Sequence, residues 1–174
     1  MKKITFIGVI LFSALAVFSQ NFGIGISSPT EKLDVNGNIR ASGYVLVPNR
    51  PAFSVYLSSH HPSTGVLVYG GVNNNNGSHY NTSNGRFTAP VSGLYQFTFG
   101  GIKYNGSPGS VARMNLRLNG STLNPQARAS EGANYGWASV TTVIWMNAGQ
   151  YVDTYSSGDT GWYVTYTFFT GHLL

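Results

Sequence analysis

A chain of 174 residues that is 42% hydrophobic can build one domain with a real core, yet only 9% of its residues are charged and it has no cysteine. That excludes a disulfide framework, thiolate chemistry and long solvent-facing helices, which need far more Glu, Lys and Ala. The formal charge of +5 falls to +3 (eight basic against five acidic residues) if Lys2 and Lys3 are removed with a leader, and the remaining basic residues (Arg40, Arg86, Arg113, Arg117 and others) lie scattered along the chain, a poor argument for nucleic acid binding.

Residues 1–19 read as a secretory signal peptide. Lys2 and Lys3 open it, Ile4 to Phe18 form an apolar stretch, and small residues surround a plausible cut between Ser19 and Gln20. The run is short for a membrane anchor, and no later segment is apolar enough to span. The chain is therefore expected to be secreted or held at a cell surface.

Residues 20–49 form a neck or linker. Leu33, Val35 and Ile39 are too few to make a core, and Asn36-Gly37 is a strong turn signal. The run GIGISSPTEKLDVNG resembles the short segment preceding C-terminal domains in secreted bacterial surface and phage tail-fibre-like proteins, where it serves as a stalk. Its loop-like composition fits a flexible linker equally well.

From Val45 onward strand follows strand. Phe53, Val55 and Leu57 alternate after Pro51, and Val66 to Tyr69 is a second short apolar run. Asn73 to Gly77 is expected to be a loop. Gly93 then opens Leu94-Tyr95-Gln96-Phe97-Thr98-Phe99, whose aromatic residues recur with period two, as on a core-packed strand. A turn cluster follows at Tyr104 to Gly109. Met114, Leu116 and Leu118 alternate in a half-exposed strand that ends at Asn119-Gly120. Trp137 to Met146 is β-rich on both parities and predicts an inner strand. Ala148-Gly149 turns into a strand over Tyr151 to Tyr155, and Trp162 to Phe169 closes the domain.

The spacing carries a resemblance. Tyr69, Asn75, Tyr80, Phe87, Gly93, Tyr95, Phe97 and Phe99 follow the signature of the C1q-like globular head domain of the tumour necrosis factor-like superfamily, with Tyr69 at a position usually occupied by Phe. Asn147 to Val152 resembles the family's Gly-Asp-x-Val turn, with Gln150 where Asp is usual, and the terminal Phe169-Thr170-Gly171-His172-Leu173-Leu174 resembles its closing Phe-Ser-Gly-Phe-Leu-Leu. The resemblance covers roughly residues 50–174 and implies an all-β jelly-roll sandwich of two antiparallel sheets, assembled as a homotrimer through the aromatic-rich face of one sheet. Tyr95, Phe97, Tyr151 and Tyr166 are the candidates for that contact, because the chain carries more rings than a small core should need.

Little points to chemistry. His60 and His61, in HHPSTG, read as solvated loop residues, and no nucleophile-base pattern or paired carboxylate spacing appears. The chain is not expected to be an enzyme, and no cofactor is expected. Some relatives bind calcium, and three copies of Asp153 meeting near a threefold axis would be the way to do so here, although Gln150 replaces a usual acid. Four Asn-Gly-Ser or Asn-Thr-Ser sequons, at Asn76, Asn81, Asn105 and Asn119, are equally well explained as turns. Tyr135, Trp137 and Trp162, set beside Asn, Asp and Gly, are candidates for a glycan or protein ligand site; alternatively, the tryptophans begin strands and pack into the core or a subunit contact. Two functions follow: a multivalent recognition or adhesion module, or a structural trimerisation cap on a surface assembly. No Gly-x-y repeat supplies a collagen stalk.

Overall fold

Polar-apolar alternation at period two becomes strand throughout, and no helix occurs among the described residues. The computed structural model describes residues 21–62, 64–104, 107, 109–129 and 135–174, so residues 1–19, read above as a signal peptide, lie outside them. The chain divides into two units, Met1–Leu46 and Val47–Leu174. In the first, β1 (Phe22–Ile24) and β2 (Leu33–Val35) pair in parallel. The Asp34 carboxylate accepts the Thr30 backbone N–H at 3.1 Å, and Asn36 Nδ2 donates to the Gly25 carbonyl at 3.3 Å. This segment thus contains a small hydrogen-bonded sheet, although Phe22, Ile24 and Leu33 stay exposed.

The second unit holds β3 (Ala52–Tyr56), β4 (Gly65–Val66), β5 (Gly71–Asn76), β6 (Tyr80–Asn81), β7 (Arg86–Thr88), β8 (Gly93–Tyr104), β9 (Ala112–Leu118), β10 (Ser121–Ala129), β11 (Trp137–Met146), β12 (Tyr151–Gly158), β13 (Gly161–Trp162) and β14 (Phe168–Leu173). They form two antiparallel sheets. One, the β8 sheet, runs β11-β8-β14-β3-β5 with β13 added on β8; the other, the β12 sheet, runs β10-β9-β12-β7-β6 with β4 added on β12. Chain neighbours are often not sheet neighbours, the crossing pattern of a jelly roll.

The rings of the signature fill the space between the sheets. Phe53, Tyr69, Tyr80, Phe87, Tyr95, Phe97, Phe99, Trp162 and Phe169 are all buried in one cluster. Phe53 stands at its centre, stacked on Tyr80 at 5.2 Å and Phe87 at 4.9 Å and edge-on to Phe169 at 4.8 Å. The Tyr69 hydroxyl, an addition to the family pattern, meets Thr154 Oγ1 at 2.8 Å, and the Tyr69 backbone N–H donates to the Tyr80 hydroxyl at 3.2 Å. Burial pushes the pKa of both phenols up. At the β9–β10 hairpin, Asn119 (φ 50°) and Gly120 (φ 85°) take the two left-handed positions of a type I′ turn.

Two expectations are corrected, and one strand appears that the local pattern did not announce. Asn73 to Asn76 lie in β5, paired along β3; their amides replace the missing apolar contacts with hydrogen bonds, Asn75 to the Tyr80 backbone at 2.9 and 3.0 Å and Asn76 to the carbonyls of Pro48 and Arg50. Ser121–Ala129 is a strand that its Asn-Pro step hides, tolerated because β10 is an edge and its register shifts between Thr122 and Gln126. Trp137–Met146 is an edge strand with one exposed face rather than an inner strand.

Candidate functional site

Register fixes which side chains share a face. Phe168 pairs with Gly100 and Tyr56, while Leu173 pairs with Tyr95, so the domain's chain begins and ends at one end of the sandwich, and Tyr104, Trp137 and Phe168 sit at the other. That distal end carries the candidate site. His60 stacks on Tyr104 at 3.9 Å and meets the edge of Tyr163 at 4.5 Å. Tyr163 in turn touches Tyr104, Tyr135 and Tyr166 at 5.5, 5.9 and 5.7 Å between ring centres. Nearby, Trp137 stacks on Phe168 at 6.0 Å. The Val164 N–H donates to His60 Nδ1 at 3.1 Å, which holds the imidazole flat on Tyr104.

Two cavities open on this ring system. One, of ≈ 280 Å³, is lined by Ile102, Tyr135, Tyr163 and Tyr166. The other, of ≈ 440 Å³, is lined by His60, His61, Pro62, Tyr104, Asp159, Thr160 and Gly161. Asp159 accepts the Val111 N–H at 3.2 Å, and the ring nitrogens of His61 lie 2.7 and 2.9 Å from the carbonyls of Pro62 and Val66. The histidines are therefore built into the loop, not merely solvated. Flat rings beside hydroxyl and carboxylate groups offer stacking and hydrogen bonding to a ligand.

Tyr135 (66% exposed) and Trp137 (56% exposed) are both at this end, but Trp162 is fully buried in the core through β13. Its alternative reading, as a packing residue, is the one the structure adopts. Tyr166 is exposed and lines the smaller cavity.

The residues nominated for a subunit contact distribute differently. Tyr95 and Phe97 are fully buried in their own chain's core, so they cannot face a second copy; one core does hold the surplus of rings. Tyr151 belongs to the β12 sheet, where Arg86 lies 4.0 Å above its ring. The opposite parity of β8 is outward. There Leu94 faces Trp145, Gln96 faces Val143, Thr98 faces Thr141 and Ile102 faces Trp137. Leu94, Val143 and Trp145 are 47%, 47% and 58% exposed, and the strands of this sheet place no Lys, Arg, Asp or Glu on that face. Lys103, the one charge in these strands, is buried.

Asp153, the carboxylate considered for calcium, is fully buried on β12. Arg117 Nε and Nη2 donate to its two oxygens at 2.6 and 3.0 Å, and Arg86 Nε lies 3.7 Å away. The pairing raises the pKa of Arg117 further. A carboxylate gripped by two guanidinium groups is engaged in an ion pair and is a poor ligand for a cation.

A sequence model of the C1q domain matches residues 52–174. The chain belongs to the C1q domain family. Its fold is shared with the globular domain of the zebrafish complement 1qA protein (18% identity, TM-score 0.60, covering 72% of this chain and 97% of that one). Murine APRIL (10% identity, TM-score 0.58, 72% and 99% covered) and Eiger TNF from S. frugiperda (13% identity, TM-score 0.57, 72% and 93% covered) share it as well. The C1q domain here thus keeps the sandwich of these proteins with little of their sequence. The contribution of His60, Tyr104 and Tyr163 to its distal end was not legible in advance; the only signal was a run of rings in loops that the fold brings together.

Proposed function

We propose that the chain is a secreted, non-enzymatic recognition module that assembles as a homotrimer and presents its aromatic distal ends to a surface glycan or protein. The observation that carries this reading is the uncharged outward face of the β8 sheet, where Leu94, Val143 and Trp145 stand open in a single chain. C1q and tumour necrosis factor-like domains commonly mediate trimeric recognition and are generally extracellular and non-enzymatic, which supports a second and third copy as the cover for that face. The leader-like residues 1–19 support export, and no helix among the described residues is long and apolar enough to cross a membrane. Three distal ends held together would bind a repetitive surface more tightly than one.

Sedimentation equilibrium of residues 20–174 tests the assembly, and glycan-array and cell-binding assays with Tyr135→Ala test the site. A mass near three subunits with binding lost in the variant is expected. A monomer would overturn the avidity argument. An intact trimer that binds nothing would leave the domain as a structural cap.

A further inference from the structure

Tyr163 is the hub of the distal end. Its ring centre lies 5.9 Å from that of Tyr135 and 5.7 Å from that of Tyr166, with the planes inclined by 68° and 56°. Rings set at such angles form the walls of a corner, not one flat platform. With Ile102 from β8 these three tyrosines line the smaller cavity, ≈ 280 Å³ in volume. The corner is braced in turn, because Tyr104 and His60 meet Tyr163 at 69° and 81° and the Val164 N–H holds His60. Tyr135 and Tyr166 nonetheless stay exposed.

We propose that this corner binds a quaternary ammonium group, the trimethylammonium head of a choline-type ligand. The inference rests on the reading of the distal end as a recognition surface and names the chemistry that surface takes. The quadrupole of an aromatic ring attracts a cation lying within about 6 Å of the ring centre. Neighbouring centres 5.7 and 5.9 Å apart let one cation engage more than one ring. The lining side chains supply apolar surface and three phenol hydroxyls, with no Asp, Glu, Asn or Gln among them. A primary ammonium or a guanidinium would bury N–H groups there with too few acceptors, which costs free energy. A trimethylammonium has no N–H to satisfy, and its methyl groups match Ile102 and the ring surfaces. The rings brace one another before any ligand arrives, which lowers the ordering cost of binding.

Charge agrees with a cation. Among the described residues, neither distal cavity is lined by Lys or Arg, and Asp159 gives the larger one a carboxylate. Tyr104 joins the two, since it lines the larger cavity and touches Tyr163 of the smaller. The potential at this end is therefore biased towards a positive ligand. A sugar ring, rich in hydroxyl groups, needs several placed polar partners, and the lining side chains of the smaller cavity offer only their phenols. A surface glycan or protein is thus recognised through a cationic substituent rather than through its hydroxyl groups.

The test is calorimetric titration of residues 20–174 with choline and with dimethylbutanol, its neutral isostere carrying a tert-butyl group. Choline should bind about tenfold or more tightly than the isostere. Tyr135→Ala and Tyr166→Ala should each weaken choline binding about tenfold, and Tyr135→Phe, which restores the ring without the hydroxyl, should rescue it. Far-UV dichroism controls for folding, and Tyr166→Ala serves if Tyr135→Ala unfolds. Choline-substituted dextran against phosphatidylcholine vesicles, each competed with free choline, assigns the group to a polymer or to a lipid headgroup. The proposal is overturned if choline does not bind, if the isostere binds as tightly, if the alanine variants bind like the native chain, or if Tyr135→Phe loses as much as Tyr135→Ala. Choline failing while Tyr135→Ala still abolishes glycan-array or cell binding would remove this inference and leave the recognition reading standing. Binding of neither choline nor any arrayed or cell-surface ligand would remove both.

Discussion

Replacing Trp145 by Ser asks whether the uncharged face of the β8 sheet is covered by other copies of the chain. A tryptophan can bury up to about 250 Å², so the 58% of Trp145 left open corresponds to roughly 140 Å². At ~25 cal/mol per Å², covering it is worth about 3 kcal/mol per subunit, or about 10 kcal/mol for a trimer. With tenfold for each 1.4 kcal/mol, the association constant should fall about ten-million-fold, and because three subunits join, the midpoint concentration should rise by about three decades. Within its own chain the indole donates to Asn147 Oδ1 at 3.1 Å and stands outside the core cluster, so the monomer's sandwich should persist. Sedimentation equilibrium over a wide concentration range, with far-UV dichroism as the folding control, measures both. A variant that associates like the native chain, or a native chain that is monomeric throughout, would refute the reasoning.

Three further outcomes are expected. Asp153→Ala leaves Arg117 and Arg86 facing an emptied buried site and should cost about 3–5 kcal/mol, read as a lower urea midpoint with unchanged slope; a loss within error would show that the ion pair is dispensable. Tyr69 and Tyr80 keep their protons, when folded, above the pH at which an unfolded tyrosine ionises. Stability is thus fully present below about pH 10 and falls above it by about 1.4 kcal/mol per pH unit for each tyrosine. Tyr69→Phe should shallow that decline, and urea titrations across alkaline pH with no decline would count against the burial of these phenols. Gly171→Ala places a methyl group against the rings of Phe97 and Phe53 and should destabilise by about 1–3 kcal/mol, seen as a lower melting temperature; a neutral result would mean that the rings have room to shift.

The alternation of Tyr95, Phe97 and Phe99 announced a core strand, and it is one, because side chains two apart must share a face whichever face that is. The same rule could not say which face of Trp137–Met146 meets the core. Val140 and Ile144 on one parity and Val143 and Trp145 on the other are equally apolar, and only the pairing with β8 turns the second set outward. For the same reason Tyr95 and Phe97, two of the four rings assigned to a subunit contact, proved to be core. Asn73 to Asn76 and the Asn-Pro step of β10 were hidden because edge strands are held by backbone pairing and tolerate polar and proline residues.

By itself the sequence determined the class of fold, its family and its signature rings, since these rest on local period and on residue types that packing demands. The tertiary structure alone decided what each surface carries. Arg86, Arg113, Arg117 and Arg128, spread over 43 positions, meet on one sheet, and Tyr104, Tyr135 and Tyr163 meet at one end. Crossing connections bring together strands distant in the chain, so neighbours in space are set by strand order, which no local pattern encodes.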